Sequence, residues 1–72
     1  MIKPGQIWEN GRAIVKVQKA DECNLLAITF NIGHKGTLTF SHSNTFAPEV
    51  ALEYVLSLSC QLTDKKLALS AN

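Results

Sequence analysis

The sequence predicts a mainly β fold: a small, strongly bent antiparallel sheet or a partly open barrel, with one short helix near residues 47–53. Three observations carry this. Apolar and polar residues alternate with a period of two over residues 12–18, 25–32 and 37–42, as they do in half-buried strands. Turn signals at Pro4-Gly5, at Asn10-Gly11 and around Gly33 and Gly36 break these runs at short intervals. A chain of 72 residues, 46% apolar, makes one domain, residues 1–72; domains below ~80 residues gain only about 3–5 kcal/mol from their core.

After the Pro4-Gly5 turn, Gln6-Ile7-Trp8-Glu9 leads into Asn10-Gly11, the dipeptide best suited to the positive φ angles of a type I′ hairpin. That turn opposes Glu9 to Arg12, Trp8 to Ala13, Ile7 to Ile14 and Gln6 to Val15. The second strand puts Ala13, Val15 and Val17 inward and Arg12 and Lys16 outward. Lys19-Ala20-Asp21-Glu22 is a polar connection. The third strand, from Asn24 on, offers Leu26, Ile28, Phe30 and Ile32 as the strongest core stripe.

Gly33-His34-Lys35-Gly36-Thr37 could carry chemistry or only a bend, and register decides it. Opposing Gly33 to Thr37 sets Ile32 against Leu38, Phe30 against Phe40 and Ile28 against His42, with a loop His34-Lys35-Gly36 in which Gly36 takes positive φ. Leu26, Ile28, Phe30, Leu38 and Phe40 are then expected to share one core. The segment lacks the spacing of a phosphate-cradling loop and does not enter a helix. His34 and Lys35 are left as contact residues on a loop tip.

Ser43-Asn44-Thr45 can cap a helix that begins around Pro48 and Glu49, residue types that favour a helix N-terminus. Beyond it, Tyr54, Leu56, Leu58, Cys60 and Leu62 alternate with mostly polar neighbours, predicting a strand over residues 54–63. The competing reading is one helix from Pro48 to about Thr63 with the stripe Val50, Ala51, Tyr54, Val55, Leu58, Leu62. A turn at Asp64-Lys65-Lys66, a last strand around Leu67-Ala68-Leu69 and a fraying end complete the expected order.

The opening segment, Lys-Pro-Gly-Gln-Ile-Trp-Glu-Asn-Gly-Arg-Ala-Ile-Val-Lys-Val over residues 3–17, resembles small SH3-like β-barrel proteins of bacteria and mobile elements. The resemblance implies an SH3-like barrel more than a function. The chain departs from peptide-binding SH3 domains in having only five aromatic residues, too few to line a proline groove.

Seven Lys plus Arg against six Asp plus Glu leave a net charge of +1, without the positive field that drives general binding to phosphates. No run approaches the ~18 apolar residues that span a bilayer, and Met1-Ile2-Lys3-Pro4-Gly5 has no apolar leader region. The expectation is a cytoplasmic protein with no membrane contact and no cofactor. A zinc site would need Cys23, His34, His42 and Cys60 to converge from four segments, unlike the close ligand spacing of known sites. The two cysteines read as reduced thiols.

Ser41-His42-Ser43 sets hydroxyls beside a histidine, but neighbours in a strand face opposite sides, so no catalytic set is expected. The sequence therefore favours a small non-enzymatic protein-interaction module: a regulator, inhibitor or oligomeric accessory protein, with a homo-oligomer or other protein as partner. Ile7, Ile14 and Leu25 are its expected outward apolar contacts, with Arg12, Lys16, His34 and Lys35 beside them. The alternative is a nucleic-acid-binding SH3-like module using a local basic face of Lys3, Arg12, Lys16, Lys19 and Lys35.

Overall fold

The computed structural model describes residues 1–63. The expected turn at Asp64-Lys65-Lys66, the expected strand at Leu67-Ala68-Leu69 and the expected fraying of Ser70-Ala71-Asn72 lie outside the described residues. Five strands, β1 (Ile7–Glu9), β2 (Ala13–Lys19), β3 (Leu25–Ile32), β4 (Leu38–Phe46) and β5 (Gln61–Thr63), form one antiparallel sheet in the order β4-β3-β2-β1-β5. One helix, α1 (Pro48–Ser57), lies between β4 and β5. The fold is thus mainly β with one short helix, as expected; the end strands β4 and β5 do not pair, so the sheet is unclosed. Among the described residues no helix is long and apolar enough to cross a membrane.

The first hairpin is offset by two residues from the expected register. Ile7 lies opposite Lys16, Trp8 opposite Val15 and Glu9 opposite Ile14, so Glu9 does not face Arg12. The physical reason is Asn10. Its side-chain oxygen accepts the backbone N–H groups of Arg12 and Ala13, both at 2.8 Å, a local turn that Asn forms readily. Asn10 therefore flanks the turn and Gly11, at φ +89°, takes its first central position. An offset of two preserves the faces, so Val15 and Val17 point inward as expected and both are fully buried.

The core lies on the face of β3 opposite to the one the sequence favours. Leu25, Ala27 and Thr29 are buried, together with Ile2, Trp8, Val15, Val17, Ala51, Val55 and Cys60. Leu26, Ile28, Phe30, Ile32 and Leu38 are only half-buried, and Phe40 is 59% exposed. The expected core is thus corrected: its members share a face, but the helix covers the other one. Ala27 and Ala51 are both fully buried in the core cluster, and small residues there let a helix lie close to a sheet, where bulkier ones would overpack.

The second hairpin has the expected register near its tip, with Ile32 opposite Leu38 and Phe30 opposite Phe40. A bulge then breaks the ladder: Thr29 lies opposite His42, leaving Ser41 as the extra residue, and Ile28 faces Ser43 instead of His42. His42 is thereby turned to the helix side. The tip is a single 3-10 turn, His34–Gly36, with Gly36 at φ +77° as expected, but Lys35 is also left-handed at φ +59°.

Ser43, Asn44 and Thr45 belong to β4 and do not cap α1; the residue before the helix is Ala47, whose carbonyl accepts the N–H groups of Val50 and Ala51. Pro48 and Glu49 occupy the first turn as expected. The strand expected over residues 54–63 is corrected, because α1 takes Tyr54 to Ser57 and only Gln61–Thr63 is extended. Ala51 and Val55, four apart, enter the core on one helical face.

What ends the helix is Ser59, at φ +60°. Its N–H donates to the Leu56 carbonyl at 2.9 Å and the Cys60 N–H to the Val55 carbonyl at 3.0 Å, the paired bonds of a left-handed helix stop, with Val55 and Cys60 as its apolar contact. A serine carries a steric penalty there that glycine does not. Ser59→Gly is expected to stabilise the domain by about 0.5–1 kcal/mol, read as a raised midpoint in urea unfolding with an unchanged slope.

Candidate functional site

The face of the sheet turned away from α1 carries Ile7 and Ile14 on the inner strands, Leu26, Ile28, Phe30 and Ile32 on β3, and Leu38 and Phe40 on β4. Among the described residues no helix lies over it. Phe30 and Phe40 meet edge to face, ring centres 6.2 Å apart at 77°, a geometry worth about 0.5–1.5 kcal/mol beyond area burial. Even so, Phe40 remains mostly in solvent. The polar positions on this face include Glu9, Lys16 and Gln18 on β1 and β2, Gln61 and Thr63 on β5, and Ser43 and Thr45 on β4 beyond the bulge.

This face ends in an edge strand with few of the usual guards. β4 is nine residues long and, among the described residues, terminal in the sheet, and its sequence Leu-Thr-Phe-Ser-His-Ser-Asn-Thr-Phe holds no Asp, Glu, Lys, Arg or Pro. Edge strands are commonly blunted by lysine, proline, shortness or a bulge. Among the described residues only the bulge at Ser41 is present.

On the helix side, β4 takes part in a chain of polar contacts. Thr29 Oγ1 and Tyr54 Oη are 2.6 Å apart, Tyr54 Oη and His42 Nε2 3.0 Å, and His42 Nδ1 and Ser41 Oγ 2.9 Å. The bulge brings Ser41 and His42 within hydrogen-bond reach, which strict alternation would not. The rings of His42 and Phe46 also pack on Tyr54, so the chain fastens α1 to β3 and β4. One open groove runs along Glu9, Asn10, Gln61 and Thr63, and another lies beside Ile2, Pro48 and Leu52. Neither touches Ser41 or His42.

The expected contact residues fall into three groups. Ile7, Ile14 and Leu25 are buried, at 6%, 7% and 5% exposure, and do not form an outward patch. Leu25 shares the helix side with Ala27, while Ile7 and Ile14 lie on inner strands, flanked by Lys16 and Thr63 and by Glu9 and Phe30. Arg12, His34 and Lys35 are exposed and come together at one end of the sheet, where the Ile32 N–H donates to the Arg12 carbonyl at 2.8 Å. Lys16 is half-buried on the apolar face. Lys19 is at the far end of the seven-residue β2, about 20 Å from Arg12 at the rise of a strand.

Asn10, read from the sequence as a turn residue, has a second role: its side-chain N–H donates to the Leu58 carbonyl at 2.6 Å, joining the first turn to the end of α1. Asp21 holds the β2–β3 loop through Asn24 and the Cys23 N–H, and these hydrogen bonds keep its carboxyl below the ordinary value. Cys60 is pushed up by burial and then by the Glu9 charge, both of which favour the thiol over the thiolate. Cys23 is exposed and both cysteines are free. The described residues contain no group of three or more His, Cys, Asp or Glu able to hold a metal ion.

Compared with protein-family models, curated proteins and solved structures, the chain matches none.

Proposed function

We propose that the chain is a small non-enzymatic protein-interaction module, acting as a regulator, inhibitor or oligomeric accessory protein, with the apolar sheet face and the β4 edge as its contact surface. The observation that carries this is Phe40, 59% exposed beside Phe30 on a face that also holds Leu26, Ile28, Ile32 and Leu38. Phe40 is the exposed member of a contiguous, half-buried apolar group, and grouped apolar surface marks interaction sites where scattered apolar residues do not. The SH3-like resemblance of residues 3–17 fits a module that presents a sheet surface, and the Ser41-His42 pair, on an exposed strand, supports no catalytic step.

A second reading, a nucleic-acid module, draws on Arg12, His34 and Lys35 at one end of the sheet. It is the weaker of the two, because Lys19 lies at the other end and the net charge is +1.

The test compares immobilised wild-type, Phe40→Lys and Arg12→Ala/Lys35→Ala chains as baits. Protein retention is expected to fall at least tenfold with Phe40→Lys and to persist with the basic double variant. Loss only with the double variant, together with steeply salt-dependent binding of a mixed RNA and DNA pool, would support the nucleic-acid reading instead.

A further inference from the structure

We infer that the occupant of the β4 edge is a second copy of this chain, paired antiparallel across a two-fold axis at Thr39, so that Leu38 of each copy faces Phe40 of the other. This rests on the reading of the chain as an interaction module and specifies its partner.

The register follows from where the backbone groups point. The Gly33 N–H donates to the Thr37 carbonyl at 2.7 Å, and the Ile32 N–H is turned to the Arg12 carbonyl, away from β4. In an antiparallel ladder, bonded and non-bonded pairs alternate, so Ile32 with Leu38 and Phe30 with Phe40 are non-bonded pairs. Leu38 and Phe40 therefore aim their own N–H and C=O groups at the free edge. A two-fold at Thr39 opposes those two residues between copies, giving four backbone hydrogen bonds and leaving Thr39 beside its own copy as a close, non-bonded pair.

The side chains agree with the backbone. Leu38 and Phe40 share the apolar face, so each copy sets leucine against phenylalanine and the two faces become continuous. Thr39 against Thr39 is a favourable cross-strand pair. With no Asp, Glu, Lys or Arg in β4, like copies bring no such charges against one another. The alternative centre on this edge, at Asn44, would oppose only Ser43 and Thr45 on that face. The other sheet end, β5, offers three residues among those described, against nine in β4, which favours an isologous pairing over a head-to-tail one.

The bulge at Ser41 bends β4 and limits the ladder to the strand's first half. About five residues a side span roughly 17 Å and bury less than the ~1,200 Å² of a standard interface. The dimer is accordingly a weak one that forms and dissociates readily.

Sedimentation equilibrium of the purified chain, from about 10 μM to about 1 mM, is expected to show a reversible monomer–dimer equilibrium, weakened at least tenfold by Phe40→Lys. Thr39→Cys and Thr45→Cys, each in a Cys23→Ser background, test the register in a glutathione redox buffer. Thr39→Cys is expected to give the disulfide-linked dimer at least tenfold more readily, because a non-bonded pair places its Cα atoms at about 4.5 Å, within disulfide range. A monomer of 7.9 kDa throughout, open-ended oligomers, or equal cross-linking at both positions would overturn the proposal. If the monomer result came with Phe40-dependent capture of a different protein, only the second copy would fall and the interaction module would stand.

Discussion

Trp8→Ala is expected to unfold the domain, and Phe30→Ala is not. Trp8 is buried in the core cluster with Val15, Val17, Leu25 and Val55. Truncating a buried tryptophan or phenylalanine costs about 3–5 kcal/mol, as much as a domain of this size is expected to hold in total. Phe30 is half-buried on the other face, beside Ile14 and against the ring of Phe40. Its loss removes part of one side chain's burial and one aromatic contact, about 1–2 kcal/mol. Circular dichroism with urea checks both: Phe30→Ala should retain a cooperative transition at a lower midpoint, and Trp8→Ala should show none. An unfolded Phe30→Ala beside a folded Trp8→Ala would mean that the helix covers the wrong face.

That contrast marks where the sequence was legible and where it was not. Alternation in β2 placed Val15 and Val17 inward, and the apolar pairs fixed the tip register of the second hairpin, because a slip of one residue would have split Leu38 and Phe40 from Phe30 and Ile32. The same alternation misassigned β3, both of whose faces carry apolar residues. Ranking them by bulk chose Leu26, Ile28, Phe30 and Ile32 over Leu25, Ala27 and Thr29, whereas close packing of a helix depends on small residues. The register itself held the warning, since Ile28 lies opposite the outward Lys16. Three further misses are single residues that no period reveals. Asn10 uses its side chain to form the turn it was expected to occupy. Ser41 is inserted as a bulge. Ser59 adopts a helix-ending conformation usually given to glycine, so the strand-like alternation after Tyr54 went unopposed. The candidate site was legible as an apolar surplus, and its residues were not, because they are those that the misassigned core had claimed.

Tyr54→Phe is expected to destabilise the domain by about 1–3 kcal/mol, although it removes one oxygen atom. Thr29 is 4% exposed, and its hydroxyl lies 2.6 Å from Tyr54 Oη, between strand and helix. A buried hydroxyl left without a partner loses its hydration with nothing in return, and that penalty exceeds the net worth of the bond. His42, the other neighbour of Tyr54 Oη, is exposed and exchanges its lost contact for water, so His42→Ala is expected to change stability by less than about 1 kcal/mol. The decisive comparison is the double variant Thr29→Val/Tyr54→Phe. It removes both hydroxyls and keeps the shape, a change that can be nearly neutral where either partner alone is costly. A cycle of the two single variants and the double, measured by urea unfolding, should show a coupling of at least about 1 kcal/mol. Additive losses would mean that Thr29 is satisfied elsewhere and that the contact does not fasten α1 to the sheet.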